Sequence, residues 1–159
     1  MDRWFRRLRL FGAACVVLST VFAYGWGTPA NAHAFLNASV PAADSTVTAP
    51  LKEIKLTYSE PVEIRFSIFK LYKINAAPGA DLHALHAAAD ALFSQNLLKR
   101  GDEAARADAG LANTGGSSTD IVVRLRDLEP GAYVLMWRAL SVDTHTTQGS
   151  FVFVYTPAP

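Results

Sequence analysis

This sequence predicts an all-β domain interrupted by one helix, and three observations support that reading. Residues 53–59 alternate Ile54, Leu56 and Tyr58 against Glu53, Lys55 and Thr57, the period-2 pattern of a strand with one buried face. Three apolar stretches near the C-terminus, at 121–126, 132–138 and 150–155, read as further strands. Between these groups, Asp81 precedes Leu82, Leu85, Ala89, Leu92, Phe93 and Leu97, apolar positions at helical spacing behind an N-cap residue. Strands arranged around one helical excursion indicate a β-sandwich of Greek-key type.

Residues 1–32 read as a signal peptide. Four arginines (Arg3, Arg6, Arg7 and Arg9) precede an apolar run from Leu10 to Tyr24. That run is short of the ~20 residues a bilayer-spanning helix needs. It is followed by Ala30-Asn31-Ala32, the small-x-small pattern of a signal-peptidase site, so cleavage is expected after Ala32. The Arg6-Arg7 pair leaves both the general and the twin-arginine export routes open.

Cleavage removes four of the fifteen Lys/Arg and one of the fourteen Asp/Glu, leaving 11 cations against 13 anions. That balance carries no basic footprint for nucleic acid or anionic membranes. The single cysteine, Cys15, lies in the leader, so the exported chain has neither a disulfide nor a thiolate ligand. Removing 32 of 159 residues leaves 127, enough for one domain over 33–159.

Along that domain, Glu60-Pro61 is expected to end the first alternating strand, since proline donates nothing to a ladder. A second strand is expected from Val62 to Ile74. Its apolar positions pass from Ile64, Phe66 and Ile68 to Phe69 and Leu71, which indicates a bulge. The segment from about 75 to 119 departs from the β pattern. It is read as an amphipathic helix of about five turns closed by Lys99-Arg100-Gly101, then a polar, mobile loop to Thr119. Glu129-Pro130-Gly131 supplies the turn between two C-terminal strands.

After cleavage His33 becomes the first residue. Its α-amino group, with an ordinary pKa near 8, gives up its proton to a metal readily, and its imidazole offers a second nitrogen to the same ion. An amine, imidazoles and a carboxylate suit copper(II), which favours tetragonal nitrogen and oxygen donors. Asp143 and His145 stand two apart in an extended stretch, a spacing that turns both side chains to one side. Alone, this D-x-H spacing is a weak signal. His83, His86 and Asp90 share a helical face and read as a solvated polar stripe rather than as ligands. Trp137, the one tryptophan after the leader, reads as core.

Three blocks carry a family resemblance. The stretch His33-Ala-Phe-Leu-Asn-Ala-Ser-Val-Pro resembles the opening of CopC domains, periplasmic copper-resistance proteins. Leu56-Thr-Tyr-Ser-Glu-Pro-Val resembles their L-x-F-S-E-P-V segment. Trp137-Arg-Ala-Leu-Ser-Val-Asp-Thr-His-Thr-Thr-Gln-Gly-Ser-Phe-Val-Phe resembles their W-x-x-x-S-x-D-G-H-x-x-x-G-x-F-x-F segment.

The resemblance implies a seven-stranded Greek-key β-sandwich or barrel, of immunoglobulin-like or cupredoxin-like form. It also implies a copper(II) site of His33, Asp143 and His145, with Glu60 as an axial or outer-sphere group, and delivery to a CopD-like membrane copper transporter. Thr144 and Thr146 stand where the family has glycine and proline, which puts the loop's geometry in question if that glycine takes a positive φ. Met136 is the only methionine besides Met1, so a methionine-rich copper(I) site is not expected. The helical insertion has no counterpart in the family pattern and is expected to be dispensable for copper.

Three functional classes follow. A carrier or sequestering protein for copper(II) is the leading one, in the periplasm or otherwise outside the cytoplasm. A copper-dependent oxidative enzyme would use the same N-terminal histidine brace. A carboxylate donor, however, favours copper(II) over the reduction that oxygen chemistry requires, so no enzymatic activity is expected. A purely structural sandwich would leave His33 and the D-x-H pair without a role.

Overall fold

The computed structural model describes residues 34–77 and 79–157. The signal-peptide reading of residues 1–32, and His33 itself, lie outside these residues. Among the described residues eight strands form two four-stranded sheets. The first sheet has the order β1 (Leu36–Val40), β3 (Glu53–Glu63), β6 (Ser117–Leu125) and β5 (Asp108–Leu111). The second has the order β2 (Thr46–Val47), β8 (Thr146–Tyr155), β7 (Gly131–Leu140) and β4 (Ile68–Lys73). Every pairing is antiparallel except that of the two-residue β2 with β8.

Alternation explains the layering. In β3 the even positions Ile54, Leu56 and Tyr58 are buried and meet Ile121 and Val123 of β6 on the inner face of the sheet. Facing them are Phe69 and Leu71 of β4, Tyr133 and Leu135 of β7, and Phe151 and Phe153 of β8. The opposite face of the second sheet, with Tyr72, Val134, Met136 and Val152, is covered by helix α1 (Leu82–Asn96) through Leu85 and Ala89, and by Leu97 just beyond it. Fully burying side chains of this size contributes about 1.5–3 kcal/mol each, so the helix belongs to a second core. Leu82 is exposed, so the buried stripe is narrower than the spacing suggested.

Two sequence expectations are corrected. Glu60-Pro61 does not end a strand, because β3 runs through to Glu63. Its pairing with β6 shifts between Thr57 and Val62, so Pro61 occupies a place where no ladder N–H is needed. A 3-10 turn at Ile64–Phe66 then separates β3 from β4.

The second correction concerns the stretch after the helix, which is not a mobile loop. It contains a 3-10 turn (Glu103–Ala105), strand β5 and the start of β6, and it buries Asp102 and Asp108. Helix α1 itself is fifteen residues long, about four turns. It starts where Asp81 accepts a hydrogen bond from the Ala84 amide at 2.8 Å.

The buried carboxylates fasten this insertion to the sandwich. Lys70 of β4 donates to the carbonyls of Asn96 (2.9 Å) and Lys99 (2.6 Å) and to Asp102 Oδ2 (2.6 Å), which uses all three ammonium protons. The Tyr72 hydroxyl donates to the same Asp102 oxygen. Desolvation pushes the Asp102 carboxyl upward, but the hydrogen bonds of Lys70 and Tyr72 and the charges of Lys70 and Arg106 outweigh it and hold the group below its ordinary range.

Candidate metal centre

Ser141, Val142, Asp143, Thr144 and His145 form the β7–β8 hairpin tip. The Ser141 amide donates to the His145 carbonyl at 2.9 Å, and the Thr144 amide donates back to the Ser141 carbonyl at 3.0 Å. A three-residue hairpin loop of this kind ends in a left-handed residue, and Thr144 has φ 73°. The positive angle implied by the family's glycine is therefore present, adopted here by a β-branched residue at a cost of roughly 1–3 kcal/mol.

The loop brings Asp143 and His145 together. His145 Nδ1 lies 3.0 Å from Asp143 Oδ2, and the His145 amide donates to Asp143 Oδ1 at 3.2 Å. The Ser141 hydroxyl, on a wholly buried residue, also donates to Oδ1. This hydroxyl bond, then the amide, side chain and charge of His145, hold the Asp143 carboxyl below its ordinary value against a smaller desolvation effect. A carboxylate held ionised only accepts, so Nδ1 carries the proton in this contact. The side chains of His145 and Asp143 are 52% and 31% exposed, which leaves them open to a ligand.

The chain leading into β1 is clamped beside this loop. Thr147, two residues after His145, donates through its hydroxyl to the Ala34 carbonyl at 2.7 Å. On the other side, Phe35 and Ser59 exchange bonds of 2.9 Å, the Phe35 amide to the Ser59 hydroxyl and the Ser59 amide to the Phe35 carbonyl. Ala34 has no exposed surface. The kink in β3 contributes the Pro61 carbonyl, which accepts from the Val142 amide at 3.2 Å. Ser141, Thr147 and Ser59 had no assigned role in the sequence reading. All three lie inside the blocks that carry the resemblance: Ser141 and Thr147 in the D-x-H block, and Ser59 as the serine of the L-x-F-S-E-P-V block.

Glu60 is exposed and makes no hydrogen bond or ion pair with another described residue. Among the described residues no group of three or more His, Cys, Asp or Glu gathers to hold a metal. Asp143 and His145 are thus brought together as a pair, without a third His, Cys, Asp or Glu beside them among the described residues. His83 stays exposed, while His86 pairs through Nε2 with Asp44 at 2.9 Å and ties α1 to the β1–β2 connection. Trp137 is core: it stacks over Gly149, where an added Cβ would come within 2.6 Å of the indole ring.

The CopC domain profile matches residues 36–156. The copper resistance protein C of Escherichia coli is 30% identical over 137 residues, covering 86% of this chain and 92% of the relative. The protein of the same name from Pseudomonas syringae pv. tomato is 32% identical over 136 residues, covering 84% and 90%. The crystal structure of PcoC, a methionine-rich copper resistance protein from Escherichia coli, superposes with a TM-score of 0.54 at 27% identity, over 79% of this chain and 100% of PcoC. CopC from Methylosinus trichosporium OB3b shares the fold, with a TM-score of 0.52 at 21% identity over 80% and 97% of the two chains.

Proposed function

The chain belongs to the CopC family, and from that membership we propose that its exported form binds one copper(II) ion. The donors are the α-amino nitrogen and imidazole of His33, the imidazole of His145 and the carboxylate of Asp143. The observation that carries this reading is the spacing of the Asp143–His145 pair. Two donors at ~2.0 Å from a tetragonal ion, at right angles to each other, lie about 2.8 Å apart, and Nδ1 and Oδ2 are already 3.0 Å apart. Copper would replace the proton they share, with the imidazole moving to its Nε2–H form.

The clamp on Ala34 supports the other half of the site. His33 is covalently bonded to a residue that Thr147 holds, and Thr147 is two residues from His145. Copper resistance is named as the function of the relatives. With a hard carboxylate stabilising the higher oxidation state, we read this chain as a carrier or sequestering protein for copper(II) and not as an oxidative enzyme. Its proposed compartment is the periplasm, reached by the leader, and its proposed acceptor is a CopD-like membrane copper transporter. No described helix is long and apolar enough to cross a membrane.

The test is a protein carrying one extra residue ahead of His33, titrated with copper(II) against a competing chelator. Moving the amine out of its chelate ring should lower affinity by at least about 100-fold. Unchanged affinity would overturn the site.

A further inference from the structure

We infer that a cleft between the end of α1 and the outer face of the second sheet binds a small organic molecule carrying two or three oxyanion groups. The inference is independent of the copper reading. The cleft has a volume of 770 Å³, within the roughly 300–1,000 Å³ typical of small-ligand sites. Its walls are β4 and β7 on one side and, on the other, the segment from Leu98 to Arg106 together with Gly110 and Leu111 of β5.

Charge sets the class of ligand. Five cations line the cleft, Lys70, Lys99, Arg100, Arg106 and Arg138, against the carboxylates Asp102 and Glu103. Lys70 is committed to Asp102, and Arg106 binds Asp108 through Nε at 2.9 Å and through Nη2. The side chains of Lys99, Arg100 and Arg138 make no hydrogen bond or ion pair with any described residue. Three uncommitted cations therefore face one uncommitted carboxylate, Glu103, in a domain whose exported form has more anions than cations. Guanidinium forks match carboxylate and phosphate oxygens in pairs.

The walls also fix the rest of the ligand. Ile68 and Leu111 line the cleft, and Leu98 stands 64% exposed at its rim beside Lys99 and Arg100. A bare inorganic ion would leave most of that space and all of that apolar surface uncovered. An organic body bearing carboxylate or phosphate-ester groups covers both.

The probes are citrate and 2,3-bisphosphoglycerate, titrated into metal-free protein so that copper cannot bridge protein and ligand, with amide chemical shifts as the readout. The expected result is saturable one-to-one binding of at least one probe, with shifts at 67–70 and 98–106, and the tighter probe tells carboxylate from phosphate ester. Joint replacement Arg100→Gln and Arg138→Gln should weaken binding at least about tenfold, and Lys99→Gln alone should weaken it less. Neither arginine bonds through its side chain to a described residue, so the unfolding midpoint of the double variant should not move. Absence of saturation, equal binding by wild type and double variant, or binding only to phosphatidylglycerol vesicles overturns the proposal.

Discussion

Two aspartate clusters in this domain use the same chemistry for opposite ends. Asp143 and His145 meet at a hairpin tip, where both side chains keep substantial exposure. Asp102 and Lys70 meet under α1 with 1% and 5% of their side chains exposed. In the buried cluster every ammonium proton is spent and Lys70 and Tyr72 both bond Asp102 Oδ2, while Oδ1 is sealed from water without a hydrogen-bond partner, so the cluster is closed to solvent. In the exposed cluster the two side chains meet through one contact of 3.0 Å and both stay open to solvent. Residue type does not separate a ligand from a rivet; the number of bonds already made and the water still admitted do.

The contrast is broken most severely from the buried side. Lys70→Met leaves the Asp102 carboxylate buried without its cation and strands two carbonyls at the end of α1, which should cost about 3–5 kcal/mol in chemical denaturation. Copper(II) stoichiometry of the folded fraction should stay unchanged. Adding Asp102→Leu should restore part of the loss, because an apolar pair replaces an orphaned charge.

On the exposed side the pattern should invert. His145→Ala is expected to lower copper(II) affinity by at least about 100-fold, and Asp143→Ala by about tenfold, imidazole being the stronger donor for this ion. Both should change denaturation midpoints little. An unaltered copper electron paramagnetic resonance spectrum in His145→Ala would remove that residue from the site.

The smallest effect sharpens the comparison instead of breaking it. Thr144→Gly relieves the left-handed strain at the tip and should raise stability by about 1 kcal/mol, with copper affinity held near wild type. A loss of stability would mean that Thr144 makes up elsewhere for its φ of 73°.

The exposed pair was legible in the sequence through the family resemblance of the block around it, its D-x-H spacing alone being a weak signal. The strands at 53–59 and near the C-terminus were legible because one buried face imposes alternation, and the helix because Asp81 and the leucines mark its start and its face. The buried cluster was not legible. Asp102, Arg106 and Asp108 lie in a polar, small-residue stretch, and composition cannot distinguish a solvated loop from one whose charges are paired inside. Lys70 was invisible for the same reason, an isolated lysine in an apolar strand that snorkels in most proteins. The short β5, Asp-Ala-Gly-Leu, offers no alternation to read.

The insertion also bears on how copies of this domain meet one another. Along the side of β4 that faces away from β7, the Phe69 carbonyl accepts from Arg106 at 3.2 Å, the Leu71 carbonyl accepts from the Ala107 amide at 2.8 Å, and the Leu71 amide donates to Asp108 at 2.8 Å. Those are the groups a neighbouring strand would seek, and an uncovered edge is a template for sheet growth between molecules. Residues 106–108 occupy them from within the same chain. The domain thus has, along this side of β4, a closed border to its sheet that is independent of any metal.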